Sequence, residues 1–176
     1  MSEFRKTGPD ETYFITLTVM GWKDLFTRES YKKILVENLD YCQKNEGLEI
    51  FAYVIMSNHL HLVCRRRDKN LSELLGRFKG YTSKALLNQI IVDPNESRKE
   101  WMLDLFHKFA LNRIGYSRYR LWNYSNYPIL LYSNKVIDQK VEYIHNNPVR
   151  AGIVREAQDY IYSSACESSP LVVCEF

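Results

Sequence analysis

Tyr53-Val-Ile-Met-Ser-Asn-His-Leu-His-Leu-Val-Cys64 decides how the rest of this chain is read. The run is apolar on both sides of Ser57-Asn58, a pair suited to a tight turn. It predicts two strands meeting there, over 49–56 and 59–66. Side chains alternate between faces along a strand. His59 and His61 therefore point one way, and Leu60 and Leu62 the other. One face is anchored in a core, and the opposite face offers two imidazoles to one ligand. A bare His-x-His triplet is common, so by itself it is more simply structural or incidental.

Outward from this hairpin, residues 12–19 are rich in β-branched and aromatic types and predict a strand, broken by Gly21-Trp22. Leu35, Leu39 and Cys42 fall at helical spacing and predict a helix over 29–45. A second helix is expected over 71–91, with Leu71, Leu74, Leu75, Phe78, Ala85 and Leu86 as its apolar set. Gly76 and Gly80 either weaken it or admit a close neighbour. Asp93-Pro94 stops it. A third helix begins at Asn95 or Ser97 and runs through Phe109. Strands are expected over 119–123 and 127–132, and a helix over 134–147, up to Pro148. A short helix and a last strand at 171–174 complete the chain. This order predicts an α+β fold: one antiparallel sheet with helices packed on one face, in a single domain over 1–176.

The chain has 176 residues, 45% hydrophobic and 26% charged, ordinary values for a soluble globular protein. No apolar run approaches a membrane span, and Met-Ser-Glu-Phe-Arg-Lys carries no apolar signal region, so the cytoplasm is the expected compartment. The four cysteines form no Cys-x-x-Cys pair and read as reduced packing residues rather than a zinc site. A net charge of +3 is compatible with nucleic acid without being diagnostic. Arg113-Ile-Gly-Tyr-Ser-Arg-Tyr-Arg-Leu-Trp122 interleaves arginines with flat rings, which suits unpaired bases and phosphates as well as an edge strand with a solvated face. Arg65-Arg66-Arg67 is most simply a solvated strand end, and near the histidine face it could hold phosphates.

The other informative segment is Glu142-Tyr-Ile-His-Asn-Asn-Pro-Val-Arg-Ala-Gly152. On a helix, Tyr143 and Asn147 are four apart and share a face with Lys140. His145 points nearly opposite. Ile137, Val141 and Ile144 form the apolar stripe expected to meet the core. A tyrosine beside a divalent metal suggests attack of its phenol on a phosphodiester, which stores the bond energy in a phosphotyrosine. Two imidazoles and an amide oxygen suit Mg²⁺ or Mn²⁺, with positions left for phosphate oxygens and water. Thiolates of the structural zinc type are missing from the set.

Taken together, Met56-Ser-Asn-His-Leu-His-Leu62 and Asp138-Gln-Lys-Val-Glu-Tyr-Ile-His-Asn-Asn-Pro-Val-Arg-Ala-Gly-Ile-Val154 resemble the HUH single-tyrosine transposases, and among them the REP-associated tyrosine transposases. Tyr13-Phe-Ile-Thr16, Leu25-Phe26 and Asp159-Tyr-Ile-Tyr-Ser-Ser-Ala165 extend the likeness over most of the chain. The resemblance implies a ferredoxin-like palm in the prokaryotic cytoplasm, associated with the nucleoid, that cuts and rejoins single-stranded DNA beside a hairpin. It implies Tyr143 as the nucleophile, forming a 5′-phosphotyrosine and freeing a 3′-hydroxyl. His59, His61 and Asn147 are implied as ligands of Mg²⁺ or Mn²⁺, and His145 is not. Arg65, Arg66, Arg67, Arg118, Arg120 and Lys140 are the expected DNA contacts. Relatives include dimers and monomers, which leaves a homodimer and a monomer both open. Two departures stand out: Ser57 replaces the family's usual proline, and 122–128 lacks a histidine that relatives can carry. The competing expectations are a non-catalytic nucleic-acid-binding module derived from such an enzyme, and a zinc hydrolase. The latter lacks a carboxylate at a convincing spacing to act as general base.

Overall fold

A computed structural model describes residues 8–111 and 118–175. Strand β1 (Tyr13–Thr18) leads through a short turn to helix α1 (Glu29–Asn45). The hairpin follows as β2 (Leu48–Ile55) and β3 (His59–Arg66), then α2 (Leu71–Val92) and α3 (Lys99–Leu111). Strand β4 (Ile129–Leu130), α4 (Asn134–His145) and the single-turn α5 (Asn147–Arg150) complete the regular structure, with a 3-10 turn at Ala157–Asp159. The strands form one antiparallel sheet in the order β2-β3-β1-β4. β3 thus lies between β1 and β2, and β1 lies between β3 and β4. This is the split βαβ arrangement of a ferredoxin-like sheet, as expected.

Helix α1 buries Tyr31, Leu35, Leu39 and Cys42, one face at spacings of three and four. In α2 the Asn70 side chain caps the first turn by accepting from the Ser72 amide at 2.8 Å. Its buried Leu71, Leu74, Leu75, Phe78, Leu86 and Ile90 join α1 over Ile15, Leu17, Leu60, Leu62 and Cys64. Gly76 and Gly80 face open space, so they serve no close approach; a Cβ there would meet nothing within 4 Å.

The expected placement of all helices on one face is corrected by α4. It lies across the other face, where Ile144 is fully buried with Phe14, Phe51, Val54 and Val63. The expected stripe of Ile137, Val141 and Ile144 is what docks it, with Val136 added. Sequence periodicity marks an apolar stripe but not the side of the sheet that receives it.

Three strand expectations shrink. Residues 119–123 form only an isolated bridge, Trp122 to Val19. The strand expected over 127–132 is two residues long, because Tyr127 has a positive φ of 43° and Pro128 has no amide hydrogen to give. The stretch 171–174 is not a strand. A bulge between Ile50 and Ala52 shifts β2, the edge strand, against β3. The tail therefore reaches that edge at single points, including the Cys174 amide to the Ile50 carbonyl at 2.7 Å. Helix α4 stops at His145 rather than 147, and Asn147-Pro148 opens α5, where a proline lacks nothing that the first turn needs.

Candidate active site

The β1–β3 register pairs Thr16 with His61 and Thr18 with His59. Alternation then gathers Phe14, Thr16, His59 and His61 on the face that α4 covers. His61 is buried, stacked on Phe14 with ring centroids 5.1 Å apart. His59 is half-buried at the start of β3, and the two imidazole centroids lie 4.6 Å apart.

Each histidine has Nδ1 within hydrogen-bonding distance of a side-chain oxygen. His61 Nδ1 is 2.9 Å from Thr16 Oγ1, and His59 Nδ1 is 2.6 Å from Asn58 Oδ1. Asn58 Oδ1 can only accept, so His59 carries its proton on Nδ1. His59 therefore offers Nε2 to a ligand, and His61 does the same in the tautomer whose Nδ1 donates to Thr16. Burial lowers the pKa of His59. It pushes that of His61 down to about 3, with smaller contributions from the charges of His59 and Lys140. Both rings are therefore neutral near pH 7, the form that binds metal. Among the described residues no group of three or more His, Cys, Asp or Glu forms a metal cluster. The two imidazoles are the nitrogen donors this face offers, and any further donors here would be amide or water oxygens.

Tyr143 sits on the third turn of α4, half-buried. Its ring meets His61 edge-on at 5.4 Å between centroids, and Phe14 at 5.8 Å. Lys140 Nζ lies 4.7 Å above the Phe14 ring and 5.7 Å from that of Tyr143. The Arg150 guanidinium reaches the same phenol ring from α5, at 5.6 Å. Two cations therefore border the tyrosine beside the histidine pair. Asn147 is half-buried at the start of α5, on the connection between Tyr143 and Arg150. His145 points elsewhere, with Nε2 2.9 Å from Ser164 Oγ.

The strand-end arginines are placed differently. Arg66 is buried, and its guanidinium is taken up by the Glu46 side chain and the Glu46 and Asn70 carbonyls at 2.9–3.0 Å. That set leaves it no part in phosphate binding, which corrects the expectation. Arg65 and Arg67 both pair with Glu49. Arg65 shares the histidine face, but four residues along the strand from His61 and six from His59 place it roughly 13–20 Å away. Arg113 and Tyr116 lie outside the described residues. Arg118 is exposed, its guanidinium over Tyr119, and its carbonyl is 2.8 Å from His107 Nδ1. Arg120 donates its amide to the Phe106 carbonyl. Both belong to a segment that joins the Met20 turn through the Leu121 carbonyl.

Sequence reasoning missed Thr16, Asn58 as a partner of His59, and Arg150. Thr16 needs the strand register to be seen. Arg150 follows Tyr143 by seven residues, two helical turns, a signal hidden by the intervening proline.

The family model described as "Transposase IS200 like" matches residues 11–106. That span includes both histidines and ends before α4. Among solved structures, the chain is similar to a REP-associated tyrosine transposase bound to a REP hairpin, with a TM-score of 0.65 and 18% sequence identity. The likeness covers 93% of this chain and 82% of that one. No curated protein matches.

Proposed function

The chain belongs to the family of IS200-like transposases, and we propose that it cuts and rejoins single-stranded DNA beside a hairpin, with Tyr143 as nucleophile. The observation that carries this reading is the edge contact of Tyr143 with His61, one ring away from His59. A nucleophile of the phosphotyrosine type thus stands beside a neutral imidazole pair, on elements far apart in sequence.

The Tyr143 phenol oxygen attacks phosphorus as its proton leaves to solvent. The new O–P bond gives a 5′-phosphotyrosine, and the P–O3′ bond breaks to a 3′-oxygen that takes up a proton. One phosphodiester replaces another, so the reverse attack by a 3′-hydroxyl rejoins DNA without a nucleotide cofactor. His59 and His61, with Asn147 as third ligand, would hold a divalent metal. That metal would polarise the phosphate and offset the charge that builds in the transition state. Lys140 and Arg150 flank the phenol and supply fixed positive charge where the phosphate must lie. Phe14 packs against both His61 and Tyr143 and keeps them in register.

The test is a labelled hairpin oligonucleotide with single-stranded tails, taken from DNA flanking the coding sequence, incubated with Mn²⁺. A protein-sized covalent adduct is expected. It should vanish in Tyr143→Phe and in EDTA, while hairpin binding persists in the variant. Salt-sensitive binding without any adduct would overturn the nuclease reading in favour of a non-catalytic binding module.

A further inference from the structure

Trp22 is the large exposed ring next to the histidine pair, and the reaction described above leaves it without a role. It is 62% exposed, yet its position is fixed from several sides. Gly21 and Trp22 both have positive φ, 66° and 55°, a conformation that bulky side chains rarely adopt. A Cβ on Gly21 would lie 2.8 Å from the Phe109 ring, so the turn is pressed against α3. The Asn58 amide donates to the Trp22 carbonyl at 3.3 Å, and the same side chain accepts from His59 Nδ1. The indole meets His59 edge-on at 5.8 Å between centroids. One asparagine therefore sets both a site histidine and the tryptophan beside it. Backbone strain that exposes a ring instead of burying it marks a functional position more readily than a structural one. Lys23 follows directly, its ammonium 5.9 Å over the ring of Trp101, itself 49% exposed. An exposed indole with an adjoining cation is what an unpaired base and its phosphate require.

We propose that Trp22 is a stacking platform for an unpaired nucleobase at the mouth of the site, with Lys23 against the neighbouring backbone phosphate. This inference rests on the single-stranded DNA reading above and adds the contact that seats the strand beside the histidines.

The test compares oligothymidylate with an abasic strand of equal length and charge, both fluorescein-labelled and followed by anisotropy in EDTA. Trp22→Ala should bind oligothymidylate about tenfold more weakly and the abasic strand as the wild type does. Trp22→Phe should keep most of the affinity that Trp22→Ala loses. Thermal melts of the variants check the fold. Equal affinity of Trp22→Ala and wild type for oligothymidylate would overturn the platform, as would an equal loss on both strands. The Mn²⁺ adduct assay separates the two readings. An adduct with wild type and no base-specific loss in Trp22→Ala removes only the platform. Neither adduct nor binding with wild type removes the function and the platform with it.

Discussion

The Thr16 hydroxyl lies 2.9 Å from Nδ1 of His61, its register partner across the β1–β3 ladder. The pair fixes one ring nitrogen and so aims the other. Thr16→Val keeps the shape and removes the hydrogen bond. It is expected to weaken Mn²⁺ binding about 10–100-fold, as loss of such outer partners does. Thr16→Ser should lose much less. Calorimetric titration with Mn²⁺ measures both, and an unchanged affinity in Thr16→Val would deny Thr16 this role.

Lys140 and Arg150 approach the Tyr143 ring from separate helices. Each alanine variant is expected to slow adduct formation at saturating DNA by about tenfold to a hundredfold, since charge aimed at the reacting phosphate acts in the transition state. Single-turnover rates decide the matter. Weaker DNA binding with unchanged rates would make the two cations anchors of the strand only.

Acid should loosen the end of α1 through Glu96. Its buried carboxylate accepts from Tyr31 at 2.6 Å, Arg28 at 3.0 Å and Arg98 at 3.1 Å. Burial opposes its charge, but the hydrogen bonds from Arg98 and Tyr31 and the charge of Arg98 outweigh burial and hold its pKa down to about 2. An ordinary unfolded glutamate titrates at about 4.3. The stabilisation is therefore complete above that value and is lost as pH falls from there through about 2. Urea denaturation across this window should show the loss in wild type and a flatter profile in Glu96→Gln. At pH 7, Glu96→Ala should cost about 1–3 kcal/mol, because it removes the buried acceptor shared by Tyr31 and two half-exposed arginines. A profile in Glu96→Gln as steep as in wild type would show that other carboxylates dominate.

Ile144 ties the helix that carries Tyr143 to the sheet, fully buried among Phe14, Val54 and Val63. Ile144→Ala should destabilise the protein by about 2–5 kcal/mol. The activity loss should exceed the loss in metal binding, because the histidines sit on the sheet itself. Hydrogen exchange of α4 amides provides the check, and protection equal to wild type would contradict this anchoring.

Much of this site is legible in residue order. Alternation alone puts His59 and His61 on one face, and a helical period puts Lys140 on the side of Tyr143. The stripe through Ile144 is equally plain. What strand and helix periods cannot carry is relative placement. That α4 crosses the histidine face depends on which side of the sheet the chain takes after β4. Thr16 becomes a partner of His61 only through strand register. Arg66 reads as a solvated cation until the fold brings the Glu46 and Asn70 carbonyls around it. The weak strands near 119–132 and 171–174 fail for a related reason. They lie at sheet edges, where a proline, a positive φ or a bulge outweighs β-branched composition.

The position of α4 also orders events in time. The histidines belong to a sheet hairpin made early in synthesis, whereas the tyrosine arrives on a later helix that packs across the same sheet. A growing chain on the ribosome thus carries the two imidazoles before it carries the proposed nucleophile. On the proposed function, a copy that stops short of α4 keeps the histidine pair and lacks the group that would form the phosphotyrosine.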